Sequence, residues 1–250
     1  MVSGRARGMG EVSNGAARRP CQLQRMVGAK IVTDARERVL AAVSQALADV
    51  RGREHPLPPV LDLAKDGGDR EALAERFAIE LTALAGTCAL VADNRACAAA
   101  VGDFLRGRAV QSVAVQSRPL AQDIASQLSG FDVTNATAAG KTALESYDCS
   151  LLQAESLLAD TGSAIVIADN ASDRVLPYLP RTSVIVGGLS VLHATMDVSS
   201  IACIQQAAAR RAPGEALIVA GPSRTADIEK TLVLGAHGPQ GLGVFIVKNA

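Results

Sequence analysis

The feature that most constrains the fold is a series of continuous apolar runs, rich in β-branched residues and separated by segments with helical periodicity. The clearest runs are TCALVAD (87–93), VQSVAVQ (110–116), TSVIVGG (182–188), EALIVAG (215–221) and GVFIVKN (243–249). Strands that are buried on both faces have unbroken apolar sequences, and helical connections bring such strands into parallel pairing. The sequence therefore predicts an α/β fold, with a mainly parallel sheet and helices on both faces.

The remaining elements fit this pattern. A strand is expected around residues 131–137, and LLADTGSAIVIAD (157–169) predicts two apolar strands broken by an Asp-Thr-Gly corner. Helices are expected at about 69–85, from the first strand to about Leu105, from Pro119 onwards and at about 199–211. The run ALIVA (216–220) is typical of a strand buried in the parallel sheet.

The chain divides into three predicted regions. Residues 1–30 carry six basic residues against one acid, a net charge of +5, with many glycines and no apolar periodicity, which predicts a disordered basic tail. Residues 31–60 hold a helix that starts with a capping-box-like Asp34 and Glu37, followed by the proline-rich connection REHPLPP (53–59). Residues 61–250 form the predicted α/β domain.

Composition excludes several classes of function. Lys+Arg and Asp+Glu balance at 25 each, so no global charge attracts a nucleic acid or an anionic membrane. No apolar run is long enough to span a bilayer. The five cysteines form no CxxC pair and no cluster with histidine, which predicts no iron–sulfur cluster, zinc site or other cofactor in this chain. A cytoplasmic, reducing environment is the expectation.

The polar stretch GPSRTADIE (221–229) follows the predicted strand EALIVAG. Open backbone N–H groups beside Ser223, Arg224 and Thr225 favour a site for a carboxylate or a phosphate. Alternatively, Ser223 or Thr225 caps a following helix. In that case Asp227 and Glu229 complement the helix dipole. On chemistry alone the cap is the commoner arrangement.

The loop GAHGPQGLG (235–243) places His237 just before the last strand. A neutral histidine there acts as an acid or base, or donates to a ligand carboxylate. A turn histidine bonded to a backbone carbonyl is an equally good interpretation, and His193 is a weaker candidate than His237. Because ligands of open α/β sheets bind at the carboxyl ends of strands, these loops, the Asp160-Thr161-Gly162 corner and Gly187 are expected around one crevice.

LLADTGSAIVI (157–167), TSVIVGGLSVL (182–192), GPSRTADIEKTLVLGAHGP (221–239) and GVFIV (243–247) together resemble the LUD domain family of lactate-utilization proteins. Within that family the chain is most similar to the short, cysteine-poor lactate utilization protein C group. The resemblance covers residues 34–250 in order, and its specific part is the C-terminal half. The family corner is commonly Glu-Thr-Gly, whereas this chain has Asp160, a carboxylate that is shorter by one methylene.

The resemblance implies the ribose-5-phosphate isomerase, glucosamine-6-phosphate isomerase and CoA-transferase type of fold. It also implies a non-redox subunit of a bacterial system that oxidises L-lactate to pyruvate, with iron–sulfur clusters on partner subunits. The implied ligand is a small carboxylate or phosphate. The expected ligand-binding residues are Asp160, Thr161, Gly162, Gly187, Gly221, Ser223, Arg224, Thr225, Asp227, Glu229, His237 and Gly238, and the catalytic candidates among them are Asp160, Glu229 and His237.

Two alternatives stay open. In the first alternative, the chain is a stand-alone enzyme of the sugar-phosphate isomerase or CoA-transferase type, with a carboxylate or His237 as acid and base. Otherwise it is a regulatory or scaffold protein, a role that the fold alone does not distinguish.

Overall fold

The computed structural model describes residues 22–48, 68–140, 142–209, 215–225, 233–235 and 237–250. The chain divides into two compact units, Met1–Val60 and Leu61–Ala250. In the first unit, helix α1 spans Gln22–Ala48. The helix start predicted at Asp34 is therefore wrong, because Asp34 lies inside a helix that begins before it. Residues 22–30, assigned to the basic tail, are also helical. The connection at 53–59 lies outside the described residues.

The second unit contains the remaining elements in chain order. The helices are α2 (Arg70–Ala83), α3 (Asn94–Arg106), α4 (Pro119–Ser126), α5 (Ala136–Ala139), α6 (Ala171–Val175) and α7 (Ala202–Ala209). The strands are β1 (Thr87–Asp93), β2 (Ser112–Val115), β3 (Asp132–Asn135), β4 (Cys149–Gln153), β5 (Ser156–Leu158), β6 (Ser163–Ala168), β7 (Thr182–Gly188), β8 (Leu192–His193), β9 (Glu215–Val219), β10 (Arg224–Thr225), β11 (Val233–Leu234) and β12 (Gly241–Asn249). The long helices and strands lie close to their predicted positions.

The main sheet has six strands in the order β1-β12-β7-β4-β2-β3, and every neighbouring pair is parallel. Strands β7 and β12 are central and are buried along nearly their whole length. Strand β4 was not predicted, although it lies between β7 and β2. Its sequence CSLLQ contains no β-branched residue, so the usual strand signal is missing.

Helices α3 and α4 cover one face of this sheet, where Val101, Phe104 and Ile124 pack against Val184 and Phe245. Helix α2 and a second, smaller sheet cover the other face, where Phe77 and Leu157 join the core formed by Leu152, Ile185 and Ile246. The predicted parallel α/β fold is confirmed, with a sheet as part of its second covering layer.

The second sheet has four strands in the order β8-β5-β6-β9. Strand β6 pairs antiparallel with both β5 and β9. Only residues 159–162 join β5 to β6, and so short a connection permits a hairpin but no parallel crossover. The run ALIVA therefore does not belong to the parallel sheet: β9 is an edge strand, and Ile218 within it is exposed.

Helix α2 begins at a clear cap, because the Asp69 side chain accepts a hydrogen bond from the backbone N–H of Glu71 at 3.1 Å. Phe77 and Leu81 on its inner face are fully buried. Among the described residues, no helix is long and apolar enough to cross a membrane.

Candidate functional site

The loop His237-Gly238-Pro239 lies at the amino edge of the parallel sheet, just before β12. Gln240 at its end donates its backbone N–H to the carbonyl of Arg181, which directly precedes β7, at 2.7 Å. Both strands therefore begin beside this loop. The neighbouring loop GPSRT follows β9, which belongs to the second sheet, so GPSRT does not lie at the carboxyl end of a strand of the parallel sheet.

A cleft of about 330 Å³ opens at this edge, and we call it the β9 cleft. It is lined by β9, by the following Ala220 and Gly221, and by residues 237–239. Ser183 and Leu242, near the starts of β7 and β12, also line it. Its volume lies at the lower end of the range of small-molecule sites.

Two of the predicted loops meet at one end of the β9 cleft. The backbone N–H of Ser223 donates to the carbonyl of Pro239, and the N–H of Gly235 donates to the carbonyl of Ser223, both at 2.8 Å. A Cβ on Gly238 would lie 3.1 Å from the Cβ of Ser223, so this close approach depends on the glycine. Gly221, Ser223, His237 and Gly238 therefore lie together at one end of the cleft.

Arg224 and Thr225 form a short antiparallel pair with Val233 and Leu234. Both residues are thus extended, so no helix begins directly after Ser223, and Ser223 does not act as a helix cap. Arg224 is exposed and Thr225 is half-buried, and neither lines the β9 cleft. Asp227 and Glu229 lie outside the described residues.

The other end of the β9 cleft is acidic. Glu215 accepts from the Tyr178 hydroxyl on Oε1 at 3.2 Å and from Arg174 Nε on Oε2 at 3.4 Å. Burial, and secondly the charge of Glu215, raises the pKa of Tyr178. Glu215 and Tyr178 line the cleft, whereas Arg174 does not. Neither lining residue was singled out from the sequence, since nothing local marks them.

The Asp160-Thr161-Gly162 corner lies apart from the β9 cleft. Asp160 accepts from Thr195 Oγ1 on Oδ2 at 2.7 Å, and its backbone N–H donates to the carbonyl of Ala194. Gly162 has a φ of +60°, and a Cβ there would lie 2.5 Å from the backbone nitrogen of Leu81. This corner closes the β5–β6 hairpin against α2, which is a packing role.

Two further glycines from the predicted set bring layers together. A Cβ on Gly187 would lie 3.0 Å from Leu157 Cδ1, so this glycine allows the second sheet to pack against β7. Gly221 has a φ of +140°, and a Cβ there would lie 3.2 Å from the Cβ of Leu84. Gly187 does not line the β9 cleft, whereas Gly221 does.

A second polar region, missed from the sequence, lies at the carboxyl end of β2; we call it the Arg118 cluster. It consists of Gln116, Arg118, Glu155, Asp169 and Asp173. The Arg118 guanidinium lies 2.8 Å from Asp169 Oδ2 and 3.5 Å from Glu155 Oε1. The fully buried Gln116 donates from Nε2 to the carbonyl of Ile167 at 2.8 Å and accepts from the N–H of Gln153 at 3.1 Å.

Asp173 is the most unusual member of the Arg118 cluster. Its side chain is buried, and its Oδ1 has no hydrogen-bond partner among the described atoms. Burial raises the pKa of this carboxyl, although bonds from Asn170 and Gln116 and the nearby Arg118 oppose the shift. The signal that sequence reasoning could have used is that Gln116, Arg118 and Asp169 directly follow apolar strands.

The described cysteines are small buried or half-buried residues, and none forms a disulfide. Burial raises the pKa of Cys88 and of Cys97 to about 12, so both thiols are protonated at neutral pH. Burial and the charge of Arg70 lower the pKa of His193, against the opposing effect of Asp197. Within the described ranges, no group of three or more His, Cys, Asp or Glu side chains is placed to hold a metal ion.

The fold and these loops define an α/β protein with a parallel sheet and a loop-lined cleft at its amino edge. The family model of the LUD domain matches residues 74–247, and the chain belongs to this family. The match includes the parallel sheet almost entirely and both loops of the β9 cleft.

Relatives and a solved structure agree with this assignment. The chain is 32% identical over 95 residues to lactate utilization protein C of Shouchella clausii, covering 38% of this chain and 42% of that protein. It is 29% identical over 106 residues to lactate utilization protein C of Geobacillus thermodenitrificans, covering 42% and 44%. The chain thus aligns with less than half the length of these relatives. A crystal structure of a DUF162 family protein from Deinococcus radiodurans has the same fold, with a TM-score of 0.52 and 18% identity, covering 72% of this chain and 99% of that one.

Proposed function

We propose that this chain is a cytoplasmic lactate-utilization protein that binds a small carboxylate at the loop end of the β9 cleft. In this proposal it acts as a non-redox subunit beside iron–sulfur partners that oxidise L-lactate to pyruvate. Membership of the LUD family and the names of the aligned relatives support the pathway. The observation that carries the binding site is the meeting of Ser223 with Pro239 and Gly238.

The loop end offers the chemistry that a carboxylate needs. Ser223 Oγ and the exposed imidazole of His237 are hydroxyl and ring donors, and the exposed Arg224 adds a positive charge one residue from Ser223. Charge-assisted bonds to a carboxylate are about twice as strong as neutral ones. The acidic end, with Glu215, repels an anion and so leaves the loop end as its place.

A deletion strain tests the pathway. We expect deletion of the gene to abolish growth on L-lactate as sole carbon source, and to leave growth on pyruvate unchanged, because pyruvate lies beyond the oxidation step. Lactate-dependent dye reduction in extracts should fall in parallel. Restoration by the wild-type gene is the control, and undiminished growth on L-lactate would contradict the proposal.

Partner and ligand binding need separate measurements. The tagged chain should co-purify with proteins that contain iron and acid-labile sulfide. The control is the same purification from the deletion strain complemented with untagged protein, which should yield much less of both. Titration of the purified chain with L-lactate, pyruvate and acetate should shift the amide resonances of Gly235, His237 and Gly238. Shifts at the Arg118 cluster instead would place the ligand elsewhere.

A second candidate function is acid–base catalysis on a sugar phosphate or an acyl-CoA. One observation favours it: Asp173, buried beside the carboxyl end of β2, has a raised pKa and an oxygen without a described partner. Turnover of such substrates by the purified chain, lost in Asp173→Asn but kept in Asp160→Asn, would support it. No turnover over a broad panel would remove it.

A further inference from the structure

The free edge of strand β9 lies along the β9 cleft. Strand β9 is the last strand in the order β8-β5-β6-β9, and within the part of the chain that the structure describes it pairs with β6 alone. All five of its residues line the cleft. An edge strand exposes backbone N–H and C=O groups that can pair with another chain. We propose that a partner protein inserts an extended segment into this cleft as a fifth strand beside β9.

The register shows which groups point into the cleft. The carbonyl of Ile165 accepts from the N–H of Glu155, and that of Ile167 accepts from Gln116 Nε2, both at 2.8 Å. Both carbonyls thus point away from β9. In an antiparallel ladder, opposite residues either exchange both of their hydrogen bonds or direct both groups outward. Ile165 lies opposite Ile218 and Ile167 lies opposite Ala216, so Ala216 and Ile218 direct their N–H and C=O groups to the free edge.

These four backbone groups are available for pairing. Within the described part of the chain, no backbone or side-chain group outside the strand ladder bonds to Ala216 or Ile218. Residues two apart on one strand present their groups on the same side, which is the spacing that an added strand needs. The exposed Ile218 side chain, on the face of the sheet that α7 covers in part, adds apolar contact for the incoming segment.

The second wall of the cleft selects a single extended segment over a second copy of this chain. Residues 237–239 line the cleft together with β9, and the bond from Ser223 to Pro239 holds them there. Edge-to-edge pairing of two folded sheets requires an open edge on both, whereas a bounded cleft of about 330 Å³ accommodates one short strand.

The residues that line the β9 cleft indicate which side chains the inserted segment carries. Leu217 and Leu242 give the cleft an apolar floor, which suits apolar side chains at alternate positions of an extended chain. Among the described residues that line the cleft, Glu215 is the only Asp, Glu, Lys or Arg, and it favours a Lys or Arg near its end of the strand. The partner segment is therefore β-forming and apolar in alternation, with a basic residue that faces Glu215. This inference rests on the strand edge and does not depend on lactate.

Proline substitution tests the pairing directly. The N–H of Ile218 points away from β6, so Ile218→Pro removes one outward donor and leaves the β6–β9 ladder intact, as edge strands tolerate. Ile218→Thr is the matched control, because it changes the same side chain and keeps the N–H. Thermal melting of both variants establishes that they are folded, and Ala216→Pro is the second variant should Ile218→Pro fail to fold.

The probe is an acetylated and amidated peptide of alternating Val and Thr with Lys at both ends; its counterparts carry Glu at both ends or a central Pro. We expect the Lys peptide to bind, to protect the amides of Ala216 and Ile218 from hydrogen exchange, and to bind at least tenfold more weakly to Ile218→Pro than to Ile218→Thr. The Glu and Pro peptides should bind at least fivefold more weakly. Glu215→Lys should reverse the preference between the Lys and Glu peptides.

Three outcomes would overturn the proposal. The first is no binding of the Lys peptide at millimolar concentration. The second is binding that Ile218→Pro leaves unchanged, without amide protection. The third is a dimer of the full chain in light scattering that Ile218→Pro dissociates, because the edge would then be occupied by a second copy.

Discussion

The two edges of the parallel sheet hold their carboxylates in opposite ways. At the amino edge, Asp148 Oδ2 accepts from the N–H groups of Gln111 and Ser112 at 2.9 and 3.0 Å, and the pKa of this carboxyl is lowered, first by the bond from Gln111. At the carboxyl edge, Arg118 serves two acids, and burial raises the pKa of the nearby Asp173. Backbone N–H groups thus bind the carboxylate at the amino edge, whereas one shared guanidinium pairs with two carboxylates at the carboxyl edge.

At the carboxyl edge, two carboxylates depend on the single side chain of Arg118. Removing one backbone donor from Asp148 leaves others, whereas removing Arg118 takes away the cation that Glu155 and Asp169, 26% and 36% exposed, share. Breaking a partly buried ion pair costs less than breaking a fully buried one and more than breaking a surface pair.

The largest effect is therefore expected from Arg118→Met, which keeps the apolar stem and removes the charge. We expect the free energy of unfolding to fall by about 1.5 kcal/mol, because the two carboxylates that share this cation are only partly exposed to water. Urea denaturation measures it. The control is Arg174→Met at the exposed pair with Glu215, which should cost about 0.5 kcal/mol or less. Equal losses in the two variants would remove the contrast between the edges.

The second prediction separates the edges by the sign of their pH dependence. Asp173 has a raised pKa, so the folded state holds this proton longer than the unfolded state as pH rises above the ordinary value of 3.8. The wild type should therefore lose stability relative to Asp173→Asn between that pH and the raised pKa. Asp148 has a lowered pKa, so the wild type should gain stability relative to Asp148→Asn as pH rises towards 3.8 and above.

Urea denaturation between pH 3 and pH 7 checks both differences. The two variants are matched in chemistry, and they differ in the edge on which the carboxylate lies and in its burial, since Asp173 is buried and Asp148 is exposed. The same sign in both pairs would contradict the opposite pKa shifts of the two carboxylates.

Most of the parallel sheet could be predicted from the sequence, because β1, β7 and β12 are apolar runs that contain β-branched residues. Strand β4 could not, since CSLLQ lacks that signal. The separate second sheet was also missed: an apolar run such as ALIVA looks the same in an edge strand and in a central one, and only the short connection 159–162 distinguishes the hairpin.

The candidate site was partly predictable for a related reason. Glycine and proline motifs marked the loops that form one end of the β9 cleft, and the structure brings Ser223 to Gly238. The other end could not be predicted, because Tyr178 and Glu215 are far apart in sequence and meet only through the packing of α6 and β9. The Arg118 cluster likewise joins residues that follow three different strands.

The third prediction concerns the loop end of the cleft. Arg224→Ala should weaken the binding of L-lactate or pyruvate by about threefold, because an exposed charge that lies near the cleft without lining it attracts an anion only weakly through water. The melting temperature should change by about 1 °C or less, because Arg224 is exposed and forms no described ion pair. Calorimetric titration measures the affinity, and Arg106→Ala is the control. Lost stability with unchanged affinity would assign Arg224 a structural role.

A small effect on stability is also expected from Glu215→Gln at the acidic end of the cleft. Its partners Tyr178 and Arg174 are well exposed, so water replaces the lost interactions, and the free energy of unfolding should fall by about 0.5 kcal/mol or less. The charge nevertheless acts on Tyr178: without it, the pKa of the phenol should fall towards its ordinary value but stay above it, since burial is the larger cause. The chain has two tyrosines and no tryptophan, so tyrosinate absorbance follows this titration, and Tyr178→Phe assigns the signal. A stability loss as large as that of Arg118→Met would show that the two regions hold their charges in the same way.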